Sequence, residues 1–89
     1  MEEVQVQASG VVQGVGFRSL VHRYALKHGI KGFVRNLLDG RVEICAQGTK
    51  GALREFFDDI RKNPGRASID RFDEKKGECG KLYSTFEVY

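Results

Sequence analysis

The chain has 89 residues, enough for one small domain and too few for two, so we expect residues 1–89 to form a single domain. Hydrophobic residues make up 40% of it and charged residues 30%, which excludes a disordered or collagen-like chain. The net charge of +3 is spread among interleaved acids and bases, so we expect a mild preference for anions and no nucleic-acid-binding stripe. No apolar run is long enough to cross a membrane and the N-terminus does not resemble a signal peptide, so we expect a cytoplasmic protein.

The first 29 residues predict a strand, a glycine-rich loop and a helix. Apolar and polar residues alternate over residues 4–12, which is typical of a half-buried strand. After the glycine-rich stretch at residues 13–16 the period changes, and apolar residues recur on one helix face. These residues are Phe17, Leu20, Val21, Tyr24 and Ala25. Gly29 is placed to end the helix, because glycine adopts the left-handed conformation that is common there.

The middle of the chain predicts a β-hairpin. Residues 30–38 and 41–47 are two strand-like runs, and Asp39-Gly40 between them is a strong signal for a tight turn. Side chains alternate across a strand, so the apolar residues at 42, 44 and 46 should face the core. Cys45 should then point to the other face of the sheet.

A second helix and one or two strands complete the pattern. Thr49 is a suitable N-cap for this helix, whose buried stripe should consist of Leu53, Phe56, Phe57 and Ile60. Residues 67–74 predict a charged strand and residues 82–89 a final one, with a turn over residues 77–80. The order β-α-β-β-α-β predicts a ferredoxin-like α+β sandwich, an antiparallel sheet with both helices on one face. The last β region leaves open a hairpin or a short extra C-terminal strand.

The cysteines and histidines give no sign of a metal site. Cys45 and Cys79 lack the CxxC spacing of zinc ribbons and thioredoxin-like motifs. Disulfides are rare in a reducing cytosol, so we expect two free thiols, although the sequence leaves their pairing open. His22 and His28 are six residues apart and share no helix face at metal-ligand spacing. We therefore expect no bound metal.

The most informative segment for chemistry is residues 10–19. Successive backbone N–H groups in a glycine loop, together with the free N–H groups of a helix start, make a concave anion site. Arg18 lies at the start of the helix, and its planar guanidinium fits two phosphate oxygens. The loop lacks the Lys-Ser/Thr of a Walker A loop and the third glycine of a dinucleotide-binding fingerprint. From the residues alone, a tight turn with a solvated arginine remains the alternative.

Two segments resemble the signatures of the acylphosphatase family. Residues 10–18, Gly-Val-Val-Gln-Gly-Val-Gly-Phe-Arg, resemble the first, and residues 32–48 resemble the second, in the family's order and at its separation. The sequence departs from the pattern at Ala8 and Val11, positions that the family does not use for chemistry. The resemblance implies hydrolysis of a carboxyl–phosphate anhydride to a carboxylate and inorganic phosphate, without metal or cofactor.

The resemblance also implies roles for individual residues. Backbone amides of the loop would hold the phosphoryl oxygens together with the Arg18 side chain, the loop residues being Gln13, Gly14, Val15, Gly16 and Phe17. Asn36 would position the attacking water, although an asparagine beside a hairpin is more often a turn residue. Phosphoryl transfer depends mainly on positioning and electrostatics, which suits a chain without a persuasive acid–base pair. We expect a small-molecule acylphosphate as partner, a monomer, and neither nucleic acid nor membrane.

Two other functions remain open. An RNA-recognition module shares the fold. The aromatic motif of such modules requires other residues where this chain has Val34 and Arg35, and the predicted third strand has no aromatic residue. A non-catalytic relative could keep the same loop to bind phosphate or carbamoyl phosphate. The presence of both Arg18 and Asn36 favours the enzyme over this relative.

Overall fold

The structure is a computed structural model that describes residues 1–77 and 79–89. In these residues the elements follow one another as β1 (Glu2–Val11), α1 (Phe17–His28), β2 (Lys31–Asn36), β3 (Val42–Gly48), α2 (Lys50–Lys62), β4 (Ser68–Lys76) and β5 (Phe86–Val88). The predicted order is confirmed, with β5 as the extra C-terminal strand. The predicted turn at 77–80 includes residue 78, which lies outside the described residues. Neither α1 nor α2 is long and apolar enough to cross a membrane.

The sheet has the strand order β4-β1-β3-β2-β5. Its first four strands are antiparallel, as predicted, whereas β5 runs parallel to β2 and pairs Phe86 with Gly32. The strand predicted over residues 82–89 is therefore only three residues long. No hairpin joins the last two strands, because β4 and β5 lie at opposite edges of the sheet. The fold is a ferredoxin-like α+β sandwich with a mixed sheet.

The two helices bury the apolar stripes that their periodicity predicts. All four predicted stripe residues of α2 are buried, and on α1 only Tyr24 is half-buried, because its hydroxyl donates to the Asn63 carbonyl at 2.9 Å. The predicted ends are also confirmed. The Thr49 hydroxyl accepts a hydrogen bond from the Ala52 amide, and Gly29 ends α1 with a φ of 67°.

An ionic contact joins the end of α1 to α2. His28 Nε2 lies 2.7 Å from Asp59 Oδ2, and Lys27 Nζ lies 3.2 Å from the same oxygen. These hydrogen bonds, that of His28 above all, lower the pKa of Asp59 below its usual value. The ionised carboxylate therefore favours the packed arrangement of the two helices.

A disulfide joins Cys45 of β3 to Cys79, so the expectation of two free thiols is wrong. The fold brings two cysteines that are 34 residues apart in sequence to a Cα–Cα distance of 5.7 Å. This distance lies well within the range that a disulfide bridges. Cys45 points away from the helices, as predicted from the alternation along β3, and is fully buried.

The disulfide anchors residues 79–85, here termed the strap, against the sheet face opposite the helices. The Gln47 side chain of β3 donates to the Lys81 carbonyl at 2.7 Å and accepts from the Tyr83 amide at 2.9 Å. Tyr83 also packs on Phe33 of β2, with ring centroids 5.6 Å apart. The strap thus covers β3 on its second face, which is why Cys45 and Gln47 are fully buried although they point away from the main core.

Candidate active site

The loop between β1 and α1, residues 12–16, has a backbone that requires glycine. Gly14 and Gly16 have φ angles of 76° and 78°, in the left-handed region. A Cβ at either position would meet no atom of the described residues within 4 Å, so conformation rather than space demands glycine there. Gly16 is the N-cap of α1 and no described side chain caps the helix. The amides of the first turn therefore have neither an intrahelical partner nor a side-chain cap, as an anion site requires.

Arg18, in the first turn of α1, carries a charge that no described carboxylate side chain neutralises. Its Nη1 donates to the main-chain oxygen of Tyr89 at 2.6 Å. A guanidinium has five N–H donors in a planar fork, so this contact orients the group and leaves other donors for a ligand. Arg35 and Arg41 each form an ion pair with a carboxylate side chain. The positive charge of Arg18 adds to that of the helix N-terminus.

Asn36 is the last residue of β2, opposite Val42 of β3. It is exposed, and its carboxamide makes no hydrogen bond to any residue that the structure describes. The turn that follows is closed by main-chain hydrogen bonds between Leu37 and Arg41 and between Gly40 and Leu37. Asn36 therefore does not stabilise this turn through its side chain, which is the alternative that its sequence position had left open.

Arg18 and Asn36 line the same cavity, of about 180 Å³, together with Gly14, Gly16 and Ser19. The topology explains why. Val42 of β3 pairs with Ala8 of β1 on one side and with Asn36 of β2 on the other. The strands β1 and β2 therefore run in the same direction, and their C-terminal ends lie at the same end of the sheet. The structure thus brings both predicted catalytic residues to the glycine loop.

Gln13 and Val15, which were predicted to act through their backbone, do not line the cavity. Gln13 Nε2 donates to the carbonyls of Leu37 and Arg41, at 2.8 and 2.9 Å. This clamp ties the glycine loop to the hairpin that carries Asn36, a positioning role that the sequence analysis missed. Its acceptors are main-chain groups 24 and 28 residues away, so no local pattern could have revealed it.

Hydrophobic side chains fix the loop from the core side. Phe17 lines the cavity and is only 1% exposed, and Val15 packs against the main core. The packed side chains on either side of Gly16 hold the backbone between them in place, since a shift would open a void in the core. The loop is therefore anchored on both sides of Gly16.

Residues with metal-binding chemistry have other partners. No group of three or more His, Cys, Asp or Glu side chains in residues 1–77 and 79–89 is arranged to hold a metal ion. His22 stacks on Phe86, with ring centroids 6.2 Å apart, and His28 is bonded to Asp59. These contacts assign both histidines to packing between elements.

The chain is similar to known proteins over nearly its whole length. The family model named Acylphosphatase matches residues 4–88. The acylphosphatase of Archaeoglobus fulgidus is 42% identical over 88 residues, covering 99% of this chain and 98% of the relative. That of Chlorobaculum tepidum is 43% identical over 87 residues, covering 98% of this chain and 95% of the relative.

A solved structure of an acylphosphatase also has the same fold as this chain. The crystal structure of acylphosphatase from Bacillus subtilis superposes with a TM-score of 0.92 at 30% identity, covering 100% of this chain and 99% of that one. A longer relative is the probable carbamoyltransferase HypF of Methanocaldococcus jannaschii, 42% identical over 72 residues, which are 80% of this chain but 9% of that protein. Because the family model matches residues 4–88 and relatives of similar length are more than 40% identical, the chain belongs to the acylphosphatase family.

Proposed function

We propose that this protein hydrolyses the carboxyl–phosphate bond of acylphosphates to a carboxylate and inorganic phosphate, without a metal ion or cofactor. The observation that carries the proposal is the single cavity that contains Arg18, Asn36 and the uncapped start of α1. Membership of the acylphosphatase family supports the reaction class. The proposal includes a monomer that acts in the cytoplasm, and light scattering coupled to size exclusion tests the first of these.

The phosphoryl group binds at the start of α1 in this proposal. Its oxygens accept hydrogen bonds from the backbone amides of residues 14 and 16–18, which line the cavity, and from the guanidinium of Arg18. The helix N-terminus contributes about half a positive charge and Arg18 a full one, so both favour a doubly charged phosphoryl group. Gly14 and Gly16 are exposed and carry no side chain, which lets the substrate approach the backbone closely.

Asn36 positions the attacking water in this proposal. Its carboxamide oxygen accepts a hydrogen bond from the water and turns a lone pair of the water oxygen towards phosphorus. The new P–O bond forms as the bond to the acyl oxygen breaks, and the electron pair leaves on the carboxylate. A carboxylate leaving group, whose acid has a pKa of about 4, needs no proton, and both protons of the water stay with the phosphate product, released as H2PO4−. The Arg18 guanidinium and the loop amides stabilise the charge that develops on the phosphoryl oxygens.

The test is release of inorganic phosphate from benzoyl phosphate with EDTA present throughout. We expect wild-type hydrolysis to survive the chelator. Arg18→Lys keeps the charge but loses the planar fork, and it should lower kcat by about a hundredfold or more. The matched control is Arg54→Lys, at an exposed arginine of α2 that lies outside the cavity and should leave kcat unchanged. Equal activity of the Arg18 and Arg54 variants would contradict the proposed phosphate site.

Asn36→Ala separates the role in water placement from a role in phosphate binding. We expect kcat to fall while the inhibition constant of inorganic phosphate stays the same, because placement of water matters only in the transition state. If phosphate inhibition weakens while kcat survives, Asn36 belongs to the binding site. Phosphate binding without hydrolysis in the folded wild-type protein would instead favour a non-catalytic phosphate-binding relative.

A further inference from the structure

A second concave surface adjoins the proposed phosphate site and has no part in the reaction described above. It is a groove of about 430 Å³ between the glycine loop with α1 on one side and the turn after α2 on the other. Arg23 of α1 and Arg66 of the turn both line it, and we term it the arginine groove. A hydrogen bond from the Ala67 amide to the Pro64 carbonyl, at 3.1 Å, closes the turn that carries Arg66.

The arginine groove is positively charged and its charges are not compensated locally. Arg23 and Arg66 are exposed, and neither forms an ion pair or hydrogen bond with a residue that the structure describes. Among the residues that the structure describes, those that line the groove include no acid. Arg61 and Arg71 elsewhere on the surface have carboxylate partners at 2.6 to 3.3 Å. Two guanidinium groups that face one groove without a carboxylate favour an anionic ligand.

The arginine groove shares part of its lining with the proposed phosphate site. Gly14, Gly16 and Ser19 line both. Ser19 and Arg23 are four residues apart on α1 and therefore share one face of it. Because Cα–Cβ bonds in a helix tilt towards its N-terminus, the Arg23 side chain leans towards the glycine loop. A ligand whose phosphoryl group lies at the loop can thus extend into the groove.

The topology places the arginine groove on the side of the loop from which the acyl group must leave. β1 lies between β4 and β3 in the sheet, with β2 beyond β3. The turn that carries Arg66 leads directly into β4, whose Ser68 pairs with Val11 at the end of β1, whereas Asn36 lies on the β2 side. In phosphoryl transfer the attacking and leaving oxygens are roughly in line across phosphorus. Water held by Asn36 on the β2 side therefore directs the acyl oxygen towards the groove.

We propose that the arginine groove binds the acyl part of the substrate and selects acylphosphates whose acyl group carries a second anionic group at its far end. This inference rests on the proposed function, since only an acylphosphate has an acyl group to place there. Arg23 and Arg66 hold the remote anion equally before and during the reaction, because it lies away from the reacting bond. The preference should therefore reside in KM and leave kcat nearly the same.

The test compares 4-carboxybenzoyl phosphate with benzoyl phosphate, since the para carboxylate cannot reach its own phosphate. We expect wild-type kcat/KM to be about tenfold higher for the carboxylated substrate, as two solvent-exposed charge-assisted contacts would give. In the double variant Arg23→Gln/Arg66→Gln the ratio of the two kcat/KM values should fall to about one. The single variant Arg54→Gln removes one positive charge outside the groove and should keep the wild-type ratio. Spontaneous hydrolysis of each substrate corrects for its intrinsic reactivity.

A second measurement needs no variant. Salt screens exposed charge pairs, so the wild-type preference should shrink as ionic strength rises from about 0.02 to 0.3 M. A wild-type ratio near one, or a ratio that the double variant retains while circular dichroism shows it folded, overturns the inference. Hydrolysis of benzoyl phosphate without preference refutes only the arginine groove. Failure to hydrolyse either substrate refutes the proposed function and the inference with it.

Discussion

Breaking the disulfide between Cys45 and Cys79 should remove a large share of the stability of this domain. The bond closes a segment of 34 residues, for which the chain-entropy model gives about 4 kcal/mol at 25 °C. A domain of this length has a free energy of unfolding of about 5–13 kcal/mol in total. The strap retains its hydrogen bonds to Gln47 and its contact with Phe33 after reduction, so the folded state should persist. The loss acts mainly through a less restricted unfolded chain.

The assay is guanidinium unfolding followed by circular dichroism, with and without a phosphine reductant. We expect the free energy of unfolding to fall by about 3–4 kcal/mol, which lowers the denaturant midpoint. In a thermal experiment the same loss corresponds to a Tm lower by roughly 12–30 °C. The slope with denaturant should rise, because the reduced unfolded chain exposes more surface. The double variant Cys45→Ala/Cys79→Ala is the control, since it should unfold near the reduced wild type and not respond to reductant. A change under about 1 kcal/mol in the wild type would refute the reasoning.

Three further changes test other contacts. Gln13→Leu removes two hydrogen bonds that clamp the glycine loop to the hairpin, so it should lower the free energy of unfolding by about 1–3 kcal/mol and also lower kcat, measured by denaturation and phosphate release. Gly32→Ala should destabilise by more than about 3 kcal/mol, because its Cβ would lie 1.9 Å from the carbonyl oxygen of Cys45 at a φ of 135°. Asp59→Asn should destabilise above about pH 5, and the difference from wild type should shrink as pH falls below about 4, since the stabilisation from a lowered pKa is lost when the carboxylate is protonated.

Two of these variants have a control within the chain. Gly51→Ala makes the same change in α2, where a Cβ would meet no described atom within 4 Å, so its free energy of unfolding should not fall and should rise by up to about 1 kcal/mol. Asp70→Asn is made at an exposed strand residue outside the helix pair and should not reproduce the pH dependence of Asp59→Asn. A Gln13→Leu protein with unchanged stability and kcat would show that the loop holds its position without the clamp.

The regular elements could be predicted because each is set by local periodicity and by residues with restricted conformations. The α2 stripe follows from spacing alone, and Thr49 and Gly29 mark helix ends by their own chemistry. Arg18 and Asn36 were predicted as site residues because they lie in contiguous motifs that resemble the acylphosphatase signatures. The structure adds that both residues line one cavity, because the C-terminal ends of β1 and β2 lie at the same end of the sheet.

The features that sequence reasoning missed all depend on contacts between distant residues. Nothing near Cys45 or Cys79 indicates that the strap passes over β3, and expectations about the compartment then favoured the wrong oxidation state. The second half of the strap, residues 82–85, was predicted as part of a strand, because residues 82–89 are locally strand-like, and the start of the strap as a turn. Its hydrogen bonds go to the side chain of Gln47, a kind of anchor that has no period along the chain.

The strand order also determines which strands form the two exposed edges of the sheet, where a strand of another copy of the chain could pair. An exposed edge invites pairing with another strand, and charged or very short edge strands oppose this. On β4, six of nine residues are charged, and β5 is only three residues long. Behind β5 lies β2, whose buried run Gly32–Val34 would offer an apolar edge if it were uncovered. By pairing with it, β5 replaces an aggregation-prone edge with one too short to template growth.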